Sequence, residues 1–150
     1  MSKLDSGLVG VAGEYLVAGE LSLRGFIASI SLRTTRGIDI MVSSADGDHQ
    51  VTVQVKTNSD GGTSWILGKK AEDFHHPAHF YVFVGLANLG ERPRFHVVPS
   101  EVVAKFATRT HREWLSGSKK NGEPRKDSNM RKFGDPRETY RDRWDLLAAR

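Results

Sequence analysis

Three polar side chains, Asp39, Gln54 and Lys56, stand in segments that otherwise read as buried strands. Asp39 interrupts Ile38, Ile40, Met41 and Val42. An acid among such neighbours is costly to bury unless a cation or a hydrogen-bond network compensates it. Gln54 and Lys56 are two residues apart, so on a strand they share one face, and Val51, Val53 and Val55 share the other. Between the two fragments, Ala45-Asp46-Gly47-Asp48 carries an Asp-Gly step, a strong hairpin signal. A hairpin there brings a carboxylate, an amide oxygen and an ammonium group together, a donor set suited to a divalent metal and a phosphate. Gly37, just ahead of Asp39, lets backbone or ligand approach closely. Each residue also has a plainer reading, as a strand-end acid or as the wet face of a half-exposed strand. The conjunction across the hairpin favours chemistry.

The elements that must position these groups follow from hydrophobic periodicity. Residues 7–24 read as a helix, with Leu8, Val11, Ala12, Tyr15, Ala18 and Ser22 at helical spacing and Val17 and Leu21 on a second face. Gly10, Gly13 and Gly19 lower its intrinsic propensity, which points to close packing on a sheet, and Gly25 is a natural stop. Strands are expected at about 26–32, 37–43 and 49–57, followed by a polar loop over 58–64. Trp65-Ile66-Leu67 reads as a short strand or an aromatic anchor. The apolar run at 79–86 reads as a central strand, and Phe95-His96-Val97-Val98 as the next. A helix then opens at Pro99-Ser100-Glu101, with Ser100 as its expected N-cap. Residues 117–136 read as a long exposed basic loop, and about 137–149 as a last short helix presenting Tyr140, Trp144 and Leu147.

The order is helix, three strands, a variable loop, two strands and a helix, then a C-terminal extension. This implies an α/β core with a mixed central sheet flanked by helices. At 150 residues the chain makes one domain, with a core over about 7–110 and an extension over 117–150. The absence of cysteine excludes disulfides and thiolate zinc sites. With no membrane-spanning apolar run and no signal-peptide core, a cytoplasmic protein is expected. Residues 1–100 carry nine Lys and Arg against ten acids, residues 101–150 thirteen against eight. A basic C-terminal third fits a polyanionic partner such as nucleic acid.

Glu14, within Gly10-Val11-Ala12-Gly13-Glu14-Tyr15-Leu16, supplies a third fragment, because small neighbours allow the helix to deliver its carboxylate toward Asp39. Glu20 reads as solvent-facing. Taken in order, Glu14, Gly37-Ile38-Asp39 and Gln54-Val55-Lys56 resemble the core of the PD-(D/E)xK nucleases, the restriction-endonuclease-like superfamily. The variant has Gln at the second motif and is similar to Holliday-junction-resolvase and Mrr-like members. The resemblance implies metal-dependent phosphodiester hydrolysis on DNA by an endonuclease or resolvase-like homodimer, with Mg²⁺ or Mn²⁺ as cofactor. It implies Asp39, Gln54, the Val55 carbonyl and Glu14 as ligands, and Lys56 as the group that positions water or stabilises the phosphate. Gln54 offers a neutral oxygen where the family usually has an acid, so fewer charges hold the metal. That departure keeps open a second reading, a catalytically inactive nuclease-like domain that binds nucleic acid or a protein.

Outside this constellation, Lys69, Lys70, Lys119, Lys120, Arg125 and Lys126 are candidate phosphate contacts. Thr57 is a further candidate contact. His75, His76 and His79 read as a loop entering the central strand, since Pro77 prevents a helix from aligning them on a metal. Trp65 is a candidate for base stacking, against the commoner role of a strand Trp in the core. A dimer face is expected from an exposed apolar strand or from the Tyr140/Trp144 helix.

Overall fold

The computed structural model describes residues 3–32 and 37–148. Helix α1 (Ser6–Leu23) precedes three antiparallel strands, β1 (Ile27–Ile30), β2 (Ile40–Ser43) and β3 (Gln50–Asn58). A crossover follows, containing β4 (Ser64–Gly68) and a 3-10 turn (Lys69–Glu72), and leads to β5 (His79–Gly85), parallel to β3. Strand β6 (Arg94–Pro99) returns antiparallel to β5, and α2 (Ser100–Leu115), β7 (Met130–Gly134) and α3 (Asp145–Ala148) complete the chain. The main sheet is ordered β1-β2-β3-β5-β6, and β4 pairs with β7 in a separate two-stranded sheet. The architecture is the mixed α/β sheet flanked by helices that the element order implies.

The parity read in β3 holds. Val51, Val53 and Val55 are buried and join Ile40, Val42, Phe80, Val82, Val84, Phe95 and Val97 in an aliphatic core beneath Val17 and Leu21 of α1. A buried Val, Leu or Ile side chain contributes about 1.5–3 kcal/mol, so this layer carries much of the fold. The opposite face is aromatic, with Trp65, Tyr81, Phe83 and Phe133 packed beside Leu67, Val98 and Val103. That layer covers β5 and β6. Toward β2 it gives out: Gln54 and Lys56 are half-buried and Met41 is exposed.

Several expectations need correction. The face of α1 toward the sheet holds Val9, Gly13, Val17 and Leu21, while Leu8, Val11 and Tyr15 are exposed. The reason is the glycine: only a residue without Cβ lets the helix settle on Thr57, as shown below. Glu20 is buried rather than solvent-facing, and Arg24 and Arg92 both pair with it, at 2.9 and 2.7 Å. The strand expected at 26–32 is shorter, and residues 33–36 lie outside the described residues. Residues 37–39 precede β2 instead of belonging to it. Pro99 is the N-cap of α2, and the Ser100 hydroxyl instead accepts from the His76 N–H and donates to the His76 carbonyl.

The expected basic loop contains β7. Its Arg131 is buried because its guanidinium pairs with Glu72 at 2.7 Å, which lets a charged sequence serve as a strand. Among the described residues the last helix covers only Asp145–Ala148, since Glu138 and Asp142 have positive φ and interrupt the turn, and residue 149 of the expected helix lies outside the described residues. Trp144 is buried in the aliphatic core and Tyr140 packs on the aromatic one, so the pair presents no dimer face. Trp65 is only 2 % exposed and donates to the Val84 carbonyl, which makes it a core anchor and rules out stacking on a base.

Candidate active site

Asp39 lies one residue ahead of β2 and is bound twice to β3. Its N–H donates to the Val53 carbonyl at 2.8 Å, and its Oδ2 accepts the Val55 N–H at 2.7 Å. The carboxylate thus acts as one more acceptor along the edge of β3, with its other oxygen able to take a further partner. Burial pushes the Asp39 carboxyl above its usual range, opposed first by the Val55 N–H and then by the charge of Lys56. An anion held partly out of water with so little compensation is a good host for a cation.

Strand register sets its neighbours. Ile40 opposes Val53, which puts Asp39 level with Gln54, and Gln54 is level with Tyr81 across the parallel β3–β5 pair. Asp39, Gln54 and Tyr81 therefore form one row across three strands. Thr52 and His79 form the row on one side, Lys56 and Phe83 the row on the other. Gly37 has φ +64, and a Cβ there would meet the Phe74 ring at 3.1 Å and Gln54 Oε1 at 3.7 Å. A side chain at 37 would displace both, so the glycine is needed for conformation and for space.

Helix α1 reaches the same end of β3. A Cβ on Gly13 would lie 1.8 Å from Thr57 Oγ1, so the helix rests directly on the strand one residue beyond Lys56. Glu14 follows at that point, half-buried. The structure thus brings Asp39, Gln54 and Lys56 onto one face, as the hairpin implies, and carries Glu14 to the neighbouring strand end. Thr57 lies on the opposite parity under α1, with a buried hydroxyl that finds no partner among the described residues. This placement argues against a phosphate contact for Thr57.

Motif reading missed Tyr81 and gave His79 only a place in a loop entering the central strand. Tyr81 sits in an apolar strand run, and only register connects it to Gln54. His79 is 2 % exposed, bonded through Nδ1 to Thr52 Oγ1 at 2.7 Å. Its pKa falls to about 4 through burial and then the charge of His76, so the ring is neutral. Among the described residues no group of three or more His, Cys, Asp or Glu is placed to hold a metal.

The basic residues fall into two regions. Lys69 and Lys70 are exposed on the 3-10 turn, beside a groove of about 570 Å³ lined by His75, Glu72, Lys105, Arg109 and Arg112. Lys119, Lys120 and Lys126 are exposed on the segment before β7, while Arg125 is fixed over the Trp114 ring at 5.0 Å and donates to the Trp114 carbonyl at 2.7 Å. His111 binds Asp127 at 2.7 Å, so this segment is docked on α2. Residues 105–132 hold nine Lys and Arg against three acids, whereas the rest of the chain holds thirteen against fifteen. The exposed face of α2 is the part of this basic surface that the sequence reading passed over.

No protein-family model matches the chain, and no curated protein matches its sequence. Among solved structures it is similar to a bacterial homing endonuclease, I-Ssp6803I, at 16% identity and TM-score 0.55, covering 97% of this chain and 94% of that one. It also matches Hjc, a Holliday junction resolvase from the archaeal hyperthermophile Archaeoglobus fulgidus, at 13% identity and TM-score 0.44 over 84% of each chain. The fold is restriction-endonuclease-like, in agreement with the element order.

Proposed function

We propose that the chain is a metal-dependent phosphodiesterase acting on DNA, an endonuclease or resolvase-like enzyme. The observation that carries this reading is Asp39 clasped to β3 at the level of Gln54, with Lys56 on the same face. The donor set is all oxygen: the Asp39 carboxylate, the Gln54 amide, the Val55 carbonyl and the nearby Glu14. Such donors fit Mg²⁺ or Mn²⁺, which in such sites take oxygen ligands and complete their shells with water and substrate phosphate. A divalent cation held there supplies charge neutralisation for the scissile phosphate and acidifies the attacking water.

The residues of the chain divide the remaining work. Asp39 fixes the position of the cation through its bond to the Val55 N–H. Lys56 donates to a non-bridging phosphate oxygen or orients water, and its ammonium offsets the charge that grows in the transition state. Glu14 brings the second carboxylate, which the Gln54 position no longer provides. Lys69, Lys70, Lys119, Lys120 and Lys126 contact the DNA backbone, with Arg125 held ready by Trp114. The enzyme works as a homodimer, with β1, whose Ile27 and Ile30 are exposed at the sheet edge, as the candidate face in preference to the half-buried Tyr140 and buried Trp144.

The test is cleavage of supercoiled plasmid, linear duplex, single strands and a four-way junction with Mg²⁺ or Mn²⁺, with Asp39→Ala and Lys56→Ala beside the wild type. Metal-dependent cutting lost in both variants supports the enzyme. A second reading, the non-cutting DNA-binding module, rests on the neutral Gln54 and the small number of acids. Salt-sensitive binding without cutting by the wild type would establish it.

A further inference from the structure

We propose that the groove between α2 and the segment running from the 3-10 turn to His75 seats the phosphate backbone of duplex DNA beside the cut, with Lys105, Arg109 and Arg112 as its contacts. The inference rests on DNA as the substrate proposed above, and it needs no metal. The three cations stand four and then three positions apart on α2, so they form one stripe, and all three are exposed. Like charges at these spacings repel and weaken a helix. The fold offsets little of that repulsion. Arg109 reaches Glu113 at 3.4 Å in a pair exposed on both sides, while Lys105 and Arg112 make no ion pair with any described residue. A stripe that costs helix stability and lacks counter-charge suits a partner that brings the negative charge itself.

The other charges of the groove leave the stripe positive. Glu72, in its lining, is bound to the buried Arg131 at 2.7 Å and is thereby neutralised. Glu101 lies in the first turn of α2, where the helix N-terminus favours an acid. His75 lines the other bank, and Lys69 and Lys70 are exposed on the 3-10 turn beside it.

The shape favours the backbone of a duplex. From Lys105 to Arg112 the helix rises about 10 Å, the axial length of about three nucleotides of one strand. The lining holds no Phe, Tyr or Trp, the rings on which single-stranded bases stack. Phe74, exposed and next to His75 in the chain, is turned toward the candidate site instead. Its ring lies 3.1 Å from the place a Cβ would take on Gly37 and meets the His79 ring edge-on at 4.8 Å. The groove therefore starts one residue from the rim of the candidate site, where backbone next to a scissile phosphate has to lie.

The experiment follows binding of a labelled duplex by fluorescence anisotropy in EDTA, over a range of salt concentrations. The wild type is compared with Lys105→Gln/Arg112→Gln and with a control of equal net charge, Lys3→Gln/Arg137→Gln, at exposed positions outside the groove. Loss of two phosphate contacts is expected to weaken binding about tenfold and to lower the slope of log affinity against log salt by about 1.8. The control is expected to keep the wild-type slope. Melting temperature checks folding, and removal of the like charges should leave it unchanged or raise it. Equal losses in the two variants, or no loss in either, overturn the groove. An equal loss on the matching single strand overturns its assignment to duplex. Binding in EDTA is independent of cutting, so the two readings fail separately. A wild type that cuts DNA while Lys105→Gln/Arg112→Gln binds as well as the control removes the groove and keeps the activity. A wild type that binds through the stripe without cutting keeps the groove and removes the activity.

Discussion

The two faces of the central sheet are built on different principles. Toward α1 the side chains are almost all aliphatic, and β3 contributes Val51, Val53 and Val55 to a closed layer. Toward α2 and the β4–β7 pair the layer is aromatic and contains polar groups, among them the fully buried His96, bonded to Asp135 at 2.7 Å. The same strand β3 has Thr52, Gln54 and Lys56 on this second face, half-buried. The difference teaches where a site can exist in so small a domain. One face is closed for stability. The other is closed over β5 and β6 but stops short of β2, and the candidate groups Asp39, Gln54 and Lys56 gather at that margin, half-buried.

This contrast can be broken from either side. The largest effect is expected at Asp39. Asp39→Asn should lower plasmid cleavage about a thousandfold or more, on the scale of removing one preorganised electrostatic group. It should also raise the melting temperature at neutral pH. The sign follows from the raised carboxyl: the native state holds the proton more tightly than the unfolded chain, so stability falls as pH rises through the native pKa, and an uncharged amide avoids that loss. A variant less stable than the wild type at pH 7 would contradict this account of the site.

On the closed face the order of effects reverses. Leu21→Ala, at a fully buried position, should cost about 2–5 kcal/mol in denaturant unfolding. The cleavage rate of the protein that remains folded should hardly change. A loss of activity at temperatures where the variant is fully folded would show that the two faces are coupled.

His79 probes the margin between the layers. Its pKa of about 4 lies below the ordinary 6.5, so the unfolded state binds the proton first. Stability should therefore drop as pH falls from about 6.5 toward 4, by up to about 3 kcal/mol. His79→Gln should flatten that part of the pH–stability curve, as measured by urea unfolding at several pH values. The smallest effect, about 1–3 kcal/mol, is expected for Gly13→Ala, which forces α1 away from Thr57. Adding Thr57→Ala should recover part of the melting temperature, because the clashing Oγ1 is gone. If Gly13→Ala reduces cleavage beyond its effect on folding, the helix position matters to Glu14.

Much of this arrangement was legible locally. Alternation along β3 separated Gln54 and Lys56 from the three valines, and the Asp-Gly step predicted the turn, where Gly47 has φ +81. What misled was also local. Residues 117–136 look like solvent loop because β7 is charged, yet Arg131 is buried by its bond to Glu72, 59 positions away. Residues 137–149 carry a helical spacing of aromatics, but Asp135 takes the Thr139 and Tyr140 N–H groups and the chain turns instead.

The sequence by itself therefore determined which residues of β3 share a face, the order of the elements through α2 and the candidacy of Asp39, Gln54 and Lys56. These depend on side-chain alternation and turn chemistry, which act over a few residues. Tertiary structure alone decided that Tyr81 stands level with Gln54, that α1 rests on Thr57 through Gly13, and that β4 finds β7. Those choices depend on strand register and close packing between segments far apart in the chain, and neither leaves a mark in the local pattern of residues.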